Sequence, residues 1–266
     1  MTANFGALYS SVEITSANNV IIFDEGAGDL TATIDVGTYY LHDGLAAQGS
    51  LLGAIDNAMD AAGSFWSVGM ASSPTDPTAL PSVGIEFAST PNATVQWTNP
   101  LTTFDPALLG IDGTSDMSTS ASQMAKNTLQ PSCIWIPDHL VKIDKGERSS
   151  RESVTHEGPS GSRNTFSLDI GSRRTRMLAW EWVDADRIFE EDNTADPAAT
   201  LQNFYEEFIS DGRPFKYLRH TSSPKDVAHV VGTYRLLDPT SIRIPERAQI
   251  GVAKYSVGPI PIRGDV

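Results

Sequence analysis

The sequence predicts an α+β protein that is mostly β: a small N-terminal α+β module, then a β-sheet domain with one helix packed on it. Three observations lead there. Short apolar runs alternate with period 2 along much of the chain and are separated by Gly, Pro, Asn and Asp clusters. Sustained helical periodicity occurs in two stretches, after Tyr39 and after Asp196. Charge is shared unevenly: residues 1–130 hold 13 carboxylates against the single Lys126, whereas residues 131–266 hold 20 against 18 Lys and Arg. That asymmetry divides the 266 residues into an acidic α+β module, 1–125, and a charge-balanced sheet domain, 126–266. The polar stretch GTSDMSTSASQMAKNTLQP reads as the linker.

In the acidic module, Val20–Phe23 and the run LTATIDVG flank the loop DEGAGD, and the three together read as a hairpin. Asp24, Glu25 and Asp29 lie close in that loop but lack the D-x-[DN]-x-[DN]-G spacing of a calcium loop, so a hairpin tip is expected. From Tyr39 the period changes. Leu41, Leu45, Leu52, Ile55 and Met59 fall at helical intervals, which predicts a helix of about twenty residues ending at Gly63. FWSVGM, VGIEFAS and ATVQWT follow as strands separated by Pro-rich turns, and TFDPALLGIDG reads as a short helical turn.

The second half opens on SCIWIPD, a strand stopped by Pro137. LVKID follows, then the charged, Ser-rich KGERSSRESVTHEGPSGSR, which lacks apolar periodicity and reads as a long hairpin tip or a loop that orders on contact. RNTFSLDIG continues as a strand. In MLAWEWV, period 2 places Leu178, Trp180 and Trp182 on one side and Met177, Ala179 and Glu181 on the other. A helix over 197–211 follows an acidic loop. Asp196 is its expected cap, Pro197 suits the first helical position, and Leu201, Phe204, Tyr205, Phe208 and Ile209 form its apolar stripe. Gly212 is expected in a left-handed conformation, with Pro214 preventing continuation. Strands starting at Phe215, in VAHVVGTYRLLD and in AKYSVGPIPIRG complete the domain, the last favouring a sheet edge through its prolines.

Several function classes are excluded by what the sequence lacks. No apolar run approaches the length of a membrane span, and MTANFGALYS lacks the basic start and apolar stretch of a signal peptide. The single Cys133 permits no internal disulfide, which fits synthesis in a reducing cytoplasm. A net charge of −14 disfavours sequence-reading of DNA by the acidic half. His42, His139, His156, His220 and His229 show no zinc spacing, and no nucleotide-binding glycine motif occurs. Ser160 beside His156 is not a G-x-S-x-G elbow, and Glu190, Glu191 and Asp192 read as a solvated turn. No catalytic constellation, cofactor site or metal site emerges, so a non-enzymatic role is expected. The candidate interaction residues are Arg173, Arg174 and Arg176 beside the tryptophan strand, with Arg148, Arg151 and Arg163 in the charged segment before it. They suit a phosphate or the carboxylates of a neighbouring subunit equally well.

NNVIIFDEGAGDLTATIDVGTYYLHDGLAAQGSLLGAIDNAMDAAG, followed by FWSVGM, an IEF strand and DPALLGIDG, resembles a module of virion proteins of tailed bacteriophages. WEWVDADRIF, the FYEEF helix, GRPFKYL, GTYRLLD and YSVGPIPIRG are similar to phage tail and baseplate proteins of the tube or distal-tail kind. The resemblance implies a β-sandwich or barrel, tail-tube-like, with one packed helix. It further implies a homo-oligomeric ring in the virion tail, partnered by itself and by other tail proteins, with DNA passing through a lumen without specific binding. It brings no catalytic residues. Two other readings stand beside it: a head-to-tail completion or capsid-decorating protein, and a carbohydrate-binding or hydrolytic module using Trp66, Trp97, Trp180 or Trp182 as a sugar platform.

Overall fold

The structure, a computed structural model, describes residues 6–41, 49–63, 66–71, 84–89, 93–118, 125–126, 131–138, 141–150, 153–157, 163–167, 173–219, 229–237 and 254–264. The acidic half contains β1 (Ala7–Ile14), β2 (Val20–Asp24), β3 (Asp29–Thr33), β4 (Gly37–Tyr40), helix α1 (Leu51–Ala62), β5 (Trp66–Ala71) and β6 (Gly84–Ser89). It continues through β7 (Thr94–Val95), a 3-10 turn at Pro106–Leu109, β8 (Met117–Ser118) and β9 (Ala125–Lys126). The second half contains β10 (Ile134–Trp135), β11 (Val141–Ser150), β12 (Ser153–Glu157), β13 (Arg163–Ser167) and β14 (Arg173–Asp184). After helix α2 (Leu201–Phe204) come β15 (Phe215–Arg219), β16 (His229–Leu236) and β17 (Lys254–Gly264). The expected mostly-β, α+β class is what the chain adopts.

An eight-stranded sheet runs in the order β10-β1-β15-β16-β17-β14-β11, with β4 also paired to β1. Two smaller sheets, β3-β2-β7-β8 and β5-β6-β9, belong to the acidic half, and β12-β13 form a two-stranded sheet of their own. Strand β1 crosses the boundary expected near residue 125. Its Leu8 lies opposite both Trp135 and Tyr217, while Val12 lies opposite Tyr39. Buried side chains of both halves belong to one continuous apolar cluster.

Period 2 decides which side of the large sheet is apolar. Phe215 and Tyr217, Tyr234 and Leu236, Ile260 and Ile262, and Leu178 and Trp180 are all buried. Trp135 and Trp180 meet edge to face at 5.0 Å, and the Trp135 indole N–H donates to the Arg187 carbonyl at 2.9 Å. Helix α2 lies against β10, and the turn after it against β1. In the acidic half, α1 is tied to β5 by its own carboxylates: Asp56 and Asp60 accept the backbone N–H groups of Val68 and Trp66, each at 2.8 Å.

Strand β17 lies between β16 and β14 rather than at the edge its prolines suggested, and three further expectations are corrected. The first helix spans twelve residues rather than about twenty, because Gly37–Tyr40 is taken by pairing with β1 and Ser50 caps a new start at Leu51; it ends at Gly63 as expected. Residues 42–48 lie outside the described ones. The second helix does not begin at Pro197. Pro197–Ala199 is a separate 3-10 turn, and Asp196 makes no side-chain cap bond. Thr200 is extended there. Its hydroxyl donates to the Pro197 carbonyl at 2.9 Å and accepts the Asn203 N–H at 3.2 Å, which closes one turn and opens the next. One α turn then widens into a π turn, Tyr205–Ile209, that brings both Phe208 and Ile209 into the core. Gly212, at φ 80°, closes it in the expected left-handed conformation.

The third correction concerns Trp182, which does not share a side with Trp180. Between Trp180↔Val257 and Val183↔Tyr255, β14 holds one residue more than β17, and this bulge turns Trp182 to φ 65° with 64% of its surface exposed. A left-handed conformation costs a non-glycine residue about 1–2 kcal/mol. The two indoles, two positions apart, therefore have opposite energetic meaning. Trp180→Ala is expected to lower unfolding free energy by about 3–5 kcal/mol, and Phe204→Ala by a similar amount. Trp182→Gly should leave it within about 0.5 kcal/mol of the parent, as an exposed substitution that relieves backbone strain. Urea denaturation followed by far-UV circular dichroism measures all three.

Candidate functional site

The solvent side of the large sheet is assembled from residues that alternate with the buried ones. On β14 these are Thr175 and Met177, on β17 Pro261 and Arg263, and on β16 Arg235. Register aligns four of the strands. Arg148 of β11 is opposite Thr175, Thr175 is opposite Arg263, and Arg263 is opposite Arg235. Directly opposed residues share a face, with Cβ atoms about 5 Å apart, so Arg263 and Arg235 are side by side. Like charges so placed oppose sheet pairing and favour any anion that lies over them. Arg235 is steadied from below: its guanidinium Nη1 donates to the Gly212 carbonyl at 2.7 Å.

An apolar patch adjoins the row. Met177 is 37% exposed and opposite Pro261, whose carbonyl accepts the Leu237 N–H at 3.1 Å; Leu237 is 51% exposed. The resulting surface, a Met-Pro-Leu centre edged by arginines, has the composition of an interface core with a charged rim.

The expected interaction residues fall in different places. Arg148 is opposite Thr175, Arg173 is opposite Ser150, and Arg174 is opposite Ser149. Arg163 is opposite Glu157 in the β12-β13 hairpin. Arg151 lies outside the described residues. Arg176 is a correction: it alternates onto the buried side with Leu178, and its guanidinium stacks over the Tyr217 ring at 5.6 Å. It is a core residue, 6% exposed. Arg235 and Arg263 were not foreseen. Their signal was present, since Tyr234-Arg235-Leu236 and Ile260-Pro261-Ile262-Arg263 alternate in period 2, but only strand register brings the two together.

The acidic hairpin tip is built as a turn. Asp24 accepts the N–H groups of Gly26 at 2.7 Å and Gly28 at 3.0 Å, and these bonds hold its carboxyl below the usual value. Glu25 accepts the Trp66 indole N–H at 2.8 Å. Among the described residues no group of three His, Cys, Asp or Glu side chains is placed to hold a metal ion. The side chains of the five histidines, and Ser160, lie outside the described residues. Trp66, Trp97 and Trp180 are buried, which leaves Trp182 as the exposed indole of the four.

A second charged cluster joins the start of β17 to the end of β14. The Asp138 side chain, 2% exposed, accepts the Asp184 backbone N–H at 3.2 Å, and Lys254 Nζ lies 2.8 Å from Asp184 and 3.8 Å from Asp138. Burial pushes the Asp138 carboxyl up, and the adjacent Asp184 adds to the shift. No protein-family model, curated protein or solved structure matches this chain.

The sign of the Asp138 shift fixes a pH dependence. An acid whose folded-state pKa lies above its unfolded value of 3.8 binds more protons when folded, so its stabilising contribution is present below 3.8 and lost as pH rises through the folded pKa. Asp138→Asn keeps an acceptor for the Asp184 N–H and removes the buried charge. Relative to this variant, the parent should lose stability between pH 3.8 and the raised Asp138 value, then run parallel to it. Thermal melts of both proteins across acid to neutral pH check this, and a constant difference over the whole range contradicts it.

Proposed function

We propose that the protein is a structural component of a phage tail, at the tip, baseplate or tube, assembling as a homo-oligomeric ring that joins neighbouring tail proteins. The observation that carries this reading is the path of the chain between β11 and β14. It leaves the large sheet along the ten-residue β11, forms the separate two-stranded β12-β13 sheet, and returns along β14. Among the described residues β11 pairs with β14 alone, and a hairpin in a sheet of its own beside an edge strand is the pair of parts that strand addition between copies uses. Lysines and an arginine along β11 discourage indiscriminate edge pairing.

The remaining features fit the same role. The sequence resemblance points to tail proteins, and the large sheet with a packed helix is compatible with a tail-tube-like sandwich or barrel. An acidic half beside a charge-balanced one suits docking between subunits, and acidic surface facing a lumen would let DNA pass without sticking. In this reading the residues act by shape and charge and catalyse nothing. Among the described residues no helix is long and apolar enough to cross a membrane.

A second reading rests on Trp182, whose exposed, strained indole is the kind of surface on which a sugar ring stacks. Titration of oligosaccharides against tryptophan fluorescence, in the parent and in Trp182→Ala, separates the two readings. Saturable quenching that disappears in the variant would favour the glycan module.

Light scattering on a size-exclusion column and negative-stain imaging test the main reading directly. The full chain is expected to form closed rings at high concentration or on addition of other tail proteins. Replacing residues 151–172 by a short Gly-rich turn should abolish ring formation while the melting transition persists. Rings that form unchanged without the hairpin would overturn the role given to it.

A further inference from the structure

The arginine face has a counterpart elsewhere on the same chain. Leu101 is 68% exposed at the turn following β7, and its N–H is held by the Asn99 side-chain oxygen at 3.0 Å. Carboxylates surround it. Asp29 accepts from Gln96 Nε2 at 2.6 Å and from Asn99 Nδ2 at 3.5 Å, and Asp116 accepts from the Thr98 N–H and hydroxyl, each at 2.9 Å. These bonds hold both carboxylates to the turn that presents the leucine. Asp29 is also directly opposite Asp24 across the β2-β3 ladder, a like-charge pair of the opposite sign to Arg235 and Arg263.

We infer that the Leu101 corner of one copy seats on the Met177-Pro261-Leu237 patch of the next, with Asp29 and Asp116 against Arg235 and Arg263. The inference rests on the assembly reading above and supplies its contact surfaces. Each surface has an exposed apolar centre and a charged rim, and the two rims are opposite in sign. Because the two surfaces are different parts of one chain, the contact is head to tail, the kind that closes into a ring when the rotation permits and otherwise extends as a filament. A nucleic acid is the poorer occupant. Its phosphates would meet the arginines, but a chain of net charge −14 repels the rest of the polyanion.

Sedimentation velocity on the full chain tests the contact. The parent should self-associate in low salt and dissociate in about 1 M salt, where the screening length falls to about 3 Å. Arg235→Glu with Arg263→Glu should weaken association at least about tenfold, as should Leu101→Asp. Because Arg235 also holds the Gly212 carbonyl, Met177→Asp, at an exposed position, serves as a second test that leaves this bond alone. A copy carrying Asp29→Arg and Asp116→Arg, mixed with the arginine-reversed copy, should associate again.

Association that survives the arginine and Leu101 changes would overturn this contact while leaving the ring reading standing. A parent that stays monomeric at every concentration in low salt also overturns it, and ring formation on other tail proteins then decides the wider reading separately. Co-sedimentation with duplex DNA that is lost on arginine reversal would assign the face to nucleic acid instead.

Discussion

Strand β1 is the constraint on which the rest of the structure depends. It is eight residues long, with all but one buried, and it bonds to β10 and β15 along one half and to β4 along the other. Along its first half, where strands pair with it on both edges, β1 has no solvent to satisfy its polar groups, so both partners must be present at once. Ser10 N–H reaches the Cys133 carbonyl at 2.8 Å, and Ser11 N–H reaches the Pro214 carbonyl at 3.2 Å. The acidic half and the charge-balanced half therefore fold as parties to one sheet. Their difference in charge is a property of surfaces, carried on a shared core.

This explains why some of the fold was legible in sequence and some was not. Period 2 marks buried faces reliably where a strand is regular, as at Tyr234 and Leu236, and at Ile260 and Ile262. It fails at Trp182, because a bulge inserts one residue and reverses the parity that follows. It also cannot say that ALYSSVEI, a strand buried at all but one position, pairs with residues 125 positions or more away in β10 and β15. Helix ends were misread for a related reason. The helical stripe starts at Leu41 in the sequence, yet tertiary pairing with β1 takes Gly37–Tyr40 into a strand, and Ser50 caps the helix at Leu51. Thr200 interrupts the second helix with a hydroxyl whose two bonds are invisible to periodicity.

The site was legible in kind but not in membership. An arginine-rich segment next to a tryptophan strand is visible in the sequence, and the register sets Arg148 opposite Thr175. Arg176 is not exposed, because the alternation that buries Leu178 and Trp180 buries it too, and its charge is accommodated over the Tyr217 ring. Arg263 and Arg235 stand 28 residues apart in sequence. Only the antiparallel register of β16 and β17 makes them neighbours. A row of this sort is a property of pairing, which no single segment encodes.

Whether such a row is only a solvated face turns on what an antiparallel sheet ordinarily presents there. A sheet with one wet side usually intersperses charges of both signs, since cross-strand opposite pairs contribute about 0.2–1 kcal/mol each and like pairs oppose folding. The other end of the same strands follows that rule, with Lys142 paired to Glu181 and Lys254 to Asp184. At the arginine end Arg235 and Arg263 are directly opposed, and beside them lie two of the exposed large apolar side chains, Met177 and Leu237. Charge of one sign and exposed apolar surface each weaken an isolated subunit's solubility or stability, and both effects are reversed by the same event, coverage by an anionic surface with an apolar centre. The like-charged pair and the exposed apolar side chains thus share one face of the sheet, which is what makes that face the one proposed for contact between copies.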